Sequence, residues 1–376
     1  MNRLVVYRNC FTGDVSGGDV HMSGLLGWML DNKPSTEAVL VLPRRDGQEK
    51  VYPEVARIRT ITHPDTKLQK SMALMYVARA LKAASKVNKF VENRDVFVAS
   101  SHFLPDVLPI ALARAGKDRK VVFVHHIIQD MDRPPGIGTT LANWQEKLCL
   151  WLIRYRFGKV VVVNQMVADR LRQIGLTKQQ ILLSSNFVQP LAQPKAYRQK
   201  IYDIAYCGRM VHQKGVDDFV YVVRELSKNK PDFRATMIGM GPELERLKRD
   251  IAREQLPVDI VGYADDVFKF ESLSRAKLFV FPSAEEGWGI VVAEALSVGT
   301  PVVAYDLPVY SPVFGEHIHT TPLRNAIELT RKTQELLDSY ARQPAAYQAE
   351  QDCITAYAQR FRLDQVAAKE TEFIGA

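Results

Sequence analysis

The chain has 376 residues, 47% hydrophobic and 24% charged, an ordinary globular mix with apolar material for two cores. No stretch reaches the ~18 uninterrupted apolar residues of a membrane-spanning helix. The apolar run at the N-terminus stops at Arg8, too short for a signal peptide.

The four cysteines, Cys10, Cys149, Cys207 and Cys353, show neither CxxC nor metal-ligand spacing, which favours reduced thiols in a cytoplasmic protein. The net charge is +8, and most of it lies between Arg44 and Arg94, where twelve Lys/Arg face five Asp/Glu.

In chain order, strands are predicted over 4–7, 38–42, 96–99, 121–124, 160–163 and 181–183. Helical patterns fall between them over 20–30, 66–90, 108–115, 141–157 and 165–174. Periodicity breaks near Gln189-Pro190 and Pro194, which reads as a linker. A second alternating series follows, with strands over 201–207, 234–238, 258–261, 278–281 and 301–304. Its helices are expected over 216–226, 243–253, 267–273 and 290–296, and the chain beyond 323 reads as helical. Strands alternating with helices predict parallel α/β sheets. The expected architecture is two Rossmann-like domains, 1–190 and 199–355, facing across a cleft at the carboxyl ends of their strands, with 356–376 packing back on the first.

Two helices carry surface signals. Over 67–90, ~100° per residue sets Arg79, Lys82, Lys86 and Lys89 opposite Leu74, Val77, Leu81 and Ala84. The basic side is either a solvated face or a patch for anionic lipid or a phosphorylated acceptor. Over 144–157, Trp151, Tyr155 and Phe157 mix with Arg154 and Arg156, as on a core-packed helix or a peripheral membrane contact. Interleaved aromatics typical of a nucleic-acid module are missing, so no nucleic-acid partner is expected.

The densest chemical signal runs from Phe281 to Leu296. A buried strand enters a two-glycine turn, Glu286-Gly287-Trp288-Gly289, and a helix begins near Trp288 or Gly289. Such a start offers free N–H groups and a positive dipole end, which suit a diphosphate. Glu286 and Glu294 lie ~12 Å apart along a helix axis, a spacing at which one carboxylate can meet a sugar and the other a ribose. A second signal follows the strand at 201–207. Gly208 permits a sharp turn and Gly215 opens the next helix. Arg209 and Lys214 between them can neutralise a departing pyrophosphate, although each alone also fits a solvated loop. His212 on that loop reads as exposed.

Together these segments resemble the large retaining family of glycosyltransferases with the GT-B fold, often called family 4. Its PSxxEGFGxxxxEAxxxGxPVVA pattern matches Pro282-Ser283, Glu286-Gly287-Trp288-Gly289, Glu294-Ala295 and Gly299-Thr300-Pro301-Val302-Val303-Ala304, with Trp288 for the usual Phe. Its GRLxxxKG pattern matches Gly208-Arg209-Met210 and Lys214-Gly215, and the agreement covers about a hundred residues. The resemblance implies that Arg209 and Lys214 bind the donor diphosphate, Glu286 the transferred sugar and Glu294 the ribose. Gly287, Trp288 and Gly289 would form the helix start. Gly262 and Tyr263 would line the base, largely through backbone. In the first domain, Gly17 and Gly18 match the family's first glycine loop, and one of His125 and His126 would contact the sugar or phosphates. His102 is a further acceptor-side candidate.

What the resemblance implies is a nucleotide-sugar donor, a glycan or lipid-linked acceptor of polysaccharide biosynthesis, and retaining front-face transfer. No cofactor and no metal are expected: Asp130-Met131-Asp132 has DxD spacing in a poor context. The expected setting is cytoplasmic, with peripheral contact to an anionic inner membrane face as an option. The rivals are a sugar-nucleotide epimerase, a phosphorylase and a non-catalytic membrane-binding module. A nicotinamide oxidoreductase would need a GxGxxG after a strand, which is not found.

Overall fold

A computed structural model describes residues 3–10, 17–44, 57–65, 72–89, 91–127, 136–188, 199–228 and 230–375. Two units separate: Met1–Phe187 with Leu363–Ala376, and Val188–Arg362.

The first unit is built on β1 (Arg3–Tyr7), α1 (Gly17–Asn32), β2 (Glu37–Arg44), β3 (Arg59–Pro64), α2 (Met72–Val87), β4 (Asp95–Ala99), α3 (Leu104–Leu112), β5 (Lys120–Val124), α4 (Ile137–Arg156), β6 (Lys159–Val162), α5 (Gln165–Gln173) and β7 (Ile181–Leu183). The sheet order is β3-β2-β1-β4-β5-β6-β7, with every printed pairing parallel. Its central strands are Val/Leu/Phe runs buried end to end, as a sheet covered on both faces requires. Val5 and Tyr7 pack with α2 to α5 on one face, while Leu4 and Val6 pack with α1 on the other.

The expected orientation of α2 is corrected here. Arg79 points inward, is 0% exposed, and bonds Asp65 at 2.9 Å and the Asn9 carbonyl at 2.9 Å. Met75, Ala80, Ala83 and Val87 face the core, whereas Leu74 and Leu81 are exposed. A carboxylate and a carbonyl waiting inside turn the helix away from its most apolar register. Lys86 is drawn to the Thr62 carbonyl.

The second unit comprises β8 (Tyr202–Cys207), α6 (Val216–Ser227), β9 (Ala235–Ile238), α7 (Leu244–Glu254), β10 (Val258–Val261), α8 (Asp266–Ser274), β11 (Ala276–Phe281), α9 (Ile290–Ser297), β12 (Val302–Tyr305), α10 (Tyr310–Phe314), β13 (His319–Thr321), α11 (Ala326–Arg342) and α12 (Pro344–Ala358). Its order, β10-β9-β8-β11-β12-β13, is again parallel. Strand order reverses between β8 and β11. The crevice outside their carboxyl ends is where doubly wound sheets take ligands.

The last helix, α13 (Leu363–Ile374), belongs to the first unit. Its Glu370, 0% exposed, accepts from His21 Nε2 of α1 at 2.9 Å and from Ser184 Oγ at 2.5 Å. His21 Nδ1 lies 3.0 Å from Asn186 Oδ1, so both ring nitrogens meet acceptors and the imidazolium is favoured. Burial alone lowers the His21 pKa, but the charge and hydrogen bond of Glu370, helped by Asn186, outweigh it and raise it. A raised folded pKa means stability that is full below the unfolded value of ~6.5 and lost as pH rises through the folded one. Glu370→Gln should therefore cost about 3–5 kcal/mol at low pH and less as pH rises. Urea denaturation of both proteins at pH values on either side of ~6.5 checks this; a pH-independent difference would contradict the ion pair.

Candidate active site

In the second unit the loops leaving β8 and β11 are joined. The first turns through His212–Lys214 into Gly215, which is left-handed at φ 68°. A Cβ there would stand 1.9 Å from the Pro282 carbonyl oxygen, so only glycine lets this loop abut the next. Ala284 N–H donates to the Gln213 carbonyl at 2.9 Å, and buried Ser283 Oγ donates to the Glu285 carbonyl at 3.0 Å. Lys214 Nζ then donates to Glu286 Oε1 at 2.6 Å and to the Glu285 carbonyl at 3.2 Å. Arg209 is exposed on the same loop, and its carbonyl accepts from Tyr206 Oη at 3.2 Å. Burial raises the Tyr206 pKa; Glu286 adds to that and Arg209 opposes it, so both charges bear on one phenol.

Helix α9 starts after Gly289, left-handed at φ 102°, and no side chain caps it. Its first N–H groups and dipole end therefore face the joined loops. Gly287 completes the turn. The Trp288 side chain turns into the core against Phe314 and Phe361, at 5.4 and 5.0 Å between rings, so what it can offer a ligand is backbone.

Glu294 is buried on α9. Its Oε1 accepts from Lys269 Nζ of α8 at 2.7 Å, while Oε2 is buried with no hydrogen-bond partner. Burial lifts the Glu294 pKa and Lys269 pulls it back; on the amine, the same carboxylate outweighs burial and raises the pKa. At the far edge, Gly239 N–H donates to the Val261 and Gly262 carbonyls, and Tyr263 is 82% exposed. Arg209, Lys214, Glu286, Gly262 and the start of α9 thus share the carboxyl edge of one sheet. His212 is exposed, 3.5 Å from Asp217.

In the first unit Gly17 and Gly18 open α1; residues 12–16, the rest of that glycine loop, lie outside the described residues. Gly18 lies against His125, whose Cδ2 would be 3.0 Å from an added Cβ. His125 Nε2 is buried and without a hydrogen-bond partner. Burial drives the His125 pKa well down, and His21, His126 and His102 add to this, so the ring is neutral at pH 7. His126 points the other way, edge-on to His102 at 5.6 Å and to Phe103 at 5.8 Å, as alternation at a strand end demands. His102 is buried and bonded to Glu146 at 3.0 Å. Asp130 and Asp132 lie outside the described residues, among which no metal-binding cluster occurs.

Residues 191–352 match the family described as Glycosyl transferases group 1. That match lies within the second unit. The O-antigen biosynthesis glycosyltransferase WclY of Escherichia coli is 22% identical over 258 residues, 65% of this chain and 70% of that protein. The 2-deoxystreptamine N-acetyl-D-glucosaminyltransferase of Niallia circulans is 32% identical over 103 residues, 27% of this chain and 26% of its own length. The chain thus spans about a quarter of that relative. HepE of Anabaena, solved with UDP and glucose, aligns over 100% of both chains with a TM-score of 0.71 at 16% identity. TarM aligns over 100% of this chain and 99% of its own at 0.73 and 13% identity. This likeness shows the fold: two Rossmann-like sheets of the GT-B type.

The first unit holds polar groups the sequence reading passed over. Arg8, where the first apolar run stops, is buried and bonds Ser23 Oγ and the Asp19 carbonyl, each at 3.0 Å. Asn9 bonds His63 at 2.8 Å, and its N–H donates to Asp106 at 2.7 Å. Burial pushes the Asp106 carboxyl up to about 6, against hydrogen bonds from Asn9, Ser100 and Ser101. The available signal was the polar run directly after β1 and β4, Arg8-Asn9-Cys10 and Ser100-Ser101-His102. In the second unit, Gly215→Ala should destabilise by more than ~1 kcal/mol, because left-handed strain adds to the clash with Pro282. Thermal unfolding compared with wild type checks this; an unchanged midpoint would contradict the loop packing.

Proposed function

We propose that the protein is a retaining, metal-independent glycosyltransferase that moves a sugar from a nucleotide-diphosphate donor to a hydroxyl of a glycan or lipid-linked acceptor. The observation that carries this reading is the joined pair of loops, with Arg209, Lys214 and the uncapped start of α9 presenting positive charge beside Glu286. UDP and glucose are the molecules named with HepE, and WclY is named for O-antigen biosynthesis; both support the donor and acceptor classes.

In this mechanism the pyrophosphate lies at the start of α9, with Arg209 and Lys214 as counter-charges. Lys214 exchanges part of its bond to Glu286 for a phosphate oxygen, which releases a Glu286 oxygen to accept from a sugar hydroxyl. Glu294 Oε2, buried without a partner, accepts from a ribose hydroxyl. The base lies along Gly262 and Tyr263. Neutral His125 can donate to, or accept from, a sugar hydroxyl or phosphate oxygen without adding charge, and Gly17 and Gly18 allow close backbone approach.

The anomeric carbon–phosphate oxygen bond breaks as the acceptor oxygen bonds the same face of that carbon. The acceptor proton passes to the leaving phosphate oxygen, and the cations hold the charge that develops there. The reaction calls on no resident cofactor, the donor being a co-substrate. A cytoplasmic setting, where nucleotide sugars are the donors, belongs to the same reading.

A thermal-shift screen of UDP-, GDP- and ADP-sugars should identify the donor by raised stability. With that donor, Arg209→Ala or Lys214→Ala should lower turnover by on the order of 10²-fold or more. Glu294→Gln should raise donor KM by about tenfold or more with a smaller change in kcat. Wild-type rates in both cation variants would reject the assignment. Product analysis with labelled donor separates transfer with retention from epimerisation or phosphorolysis.

A further inference from the structure

The helices on the two faces of the first sheet differ in charge. Among the described residues of α1 and α13, five carboxylates accompany a single lysine. The layer α2 to α5 is the reverse. Its carboxylates are Asp106 and Glu146, both buried, and Asp169, the only one that reaches solvent, which pairs with Arg172 at 2.7 Å. Seven cations of the same four helices reach solvent: Lys82, Lys86, Lys147, Arg154, Arg156, Arg170 and Arg172.

The same layer exposes large apolar side chains between those cations. On α4, Trp144, Trp151 and Tyr155 are 59%, 56% and 54% exposed, and their spacing of seven and four residues sets them on one stripe. Leu74 and Leu81 of α2, Leu112 of α3 and Met166 of α5 are about half exposed. Between α4 and α5 a groove of about 310 Å³ is lined by Lys147, Leu150, Trp151, Arg154, Arg170 and Ile174. The Arg154 guanidinium lies 5.2 Å from the Tyr155 ring centre, and Trp151 packs against Tyr155 at 5.3 Å.

We propose that the outer face of α2 to α5 is a docking surface for an anionic phospholipid bilayer, with Trp144, Trp151 and Tyr155 entering the interface. The pairing of chemistry is the argument. Tryptophan and tyrosine settle at the boundary between headgroups and acyl chains, where an apolar ring and a polar edge are both satisfied. Lysine and arginine lay their stems along apolar surface and place their charge among phosphates. A layer with outward charge of almost one sign is matched by a surface of the opposite sign. The cations extend over three of these helices, α2, α4 and α5, a wider footprint than a single peptide would cover. The proposal rests on the transferase reading only in that a lipid-linked acceptor gives the docking a purpose, and its test uses neither donor nor acceptor.

The full-length protein is mixed with phosphatidylcholine vesicles, alone or with about one-third phosphatidylglycerol. Co-sedimentation and tryptophan emission are read at low and high salt. The expected result is binding to the anionic vesicles, a blue shift on binding, and loss at high salt. Trp144→Ala with Trp151→Ala should weaken partitioning by at least about tenfold, as should Lys147→Gln with Arg154→Gln, which leaves the aromatics in place. Both should keep the wild-type unfolding midpoint. The proposal is overturned if wild type ignores anionic vesicles, or if both folded variants bind them as wild type does. It is equally overturned if a soluble glycan or self-association, rather than lipid, shifts the tryptophan emission.

Discussion

A lysine and a glutamate 2.6 Å apart, brought from two loops at the reversal point of one sheet, organise the second unit. The Lys214–Glu286 pair is mostly shielded from solvent, so neither charge is fully answered by water. It holds only because Gly215 allows the first loop to touch Pro282 and because Ala284 and Ser283 close the remaining backbone bonds. The arrangement leaves a cation, a carboxylate and an uncapped helix start on one edge. That edge is where we propose a diphosphate flanked by hydroxyl groups to bind.

The first unit follows the same topology with different chemistry. Its strand ends carry Arg8, Asn9 and the histidine pair, Asp106 of α3 accepts from the Asn9 N–H, and its electrostatics centre on His21 and Glu370. The last helix supplies Glu370, which favours the charged form of His21; His21 in turn helps keep His125 neutral. The C-terminus therefore bears on the state of a histidine at the end of β5 as well as covering a sheet face.

Much of this was legible in the sequence, for physical reasons. Buried parallel strands are apolar throughout, so the central strands of both sheets stand out: β4 at Asp95–Ala99 and β5 at Lys120–Val124 fall within a residue of the expected spans. The edge strands β3 and β13, Arg-Thr-Ile-Thr-His-Pro and His-Thr-Thr, lack that run and were not foreseen. The facing of α2 was misread because hydrophobic periodicity cannot see Asp65 and the Asn9 carbonyl, which take Arg79 inward. Motif spacing put Glu286 and Glu294 near one helix, but it gave no sign that Lys269 would hold Glu294 or that Trp288 would bury its ring. Local pattern reports which groups border a strand end; partners supplied by other elements appear only once the chain is folded.

The central claim is that the second unit holds a nucleotide diphosphate at the start of α9. A crystal structure with bound UDP-sugar tests it most directly. The account predicts pyrophosphate oxygens about 3 Å from Lys214 Nζ and the first free N–H groups of α9, with the ribose on Glu294 Oε2. A nucleotide bound elsewhere, with Lys214 and Glu286 paired as before and no phosphate near either, would contradict it.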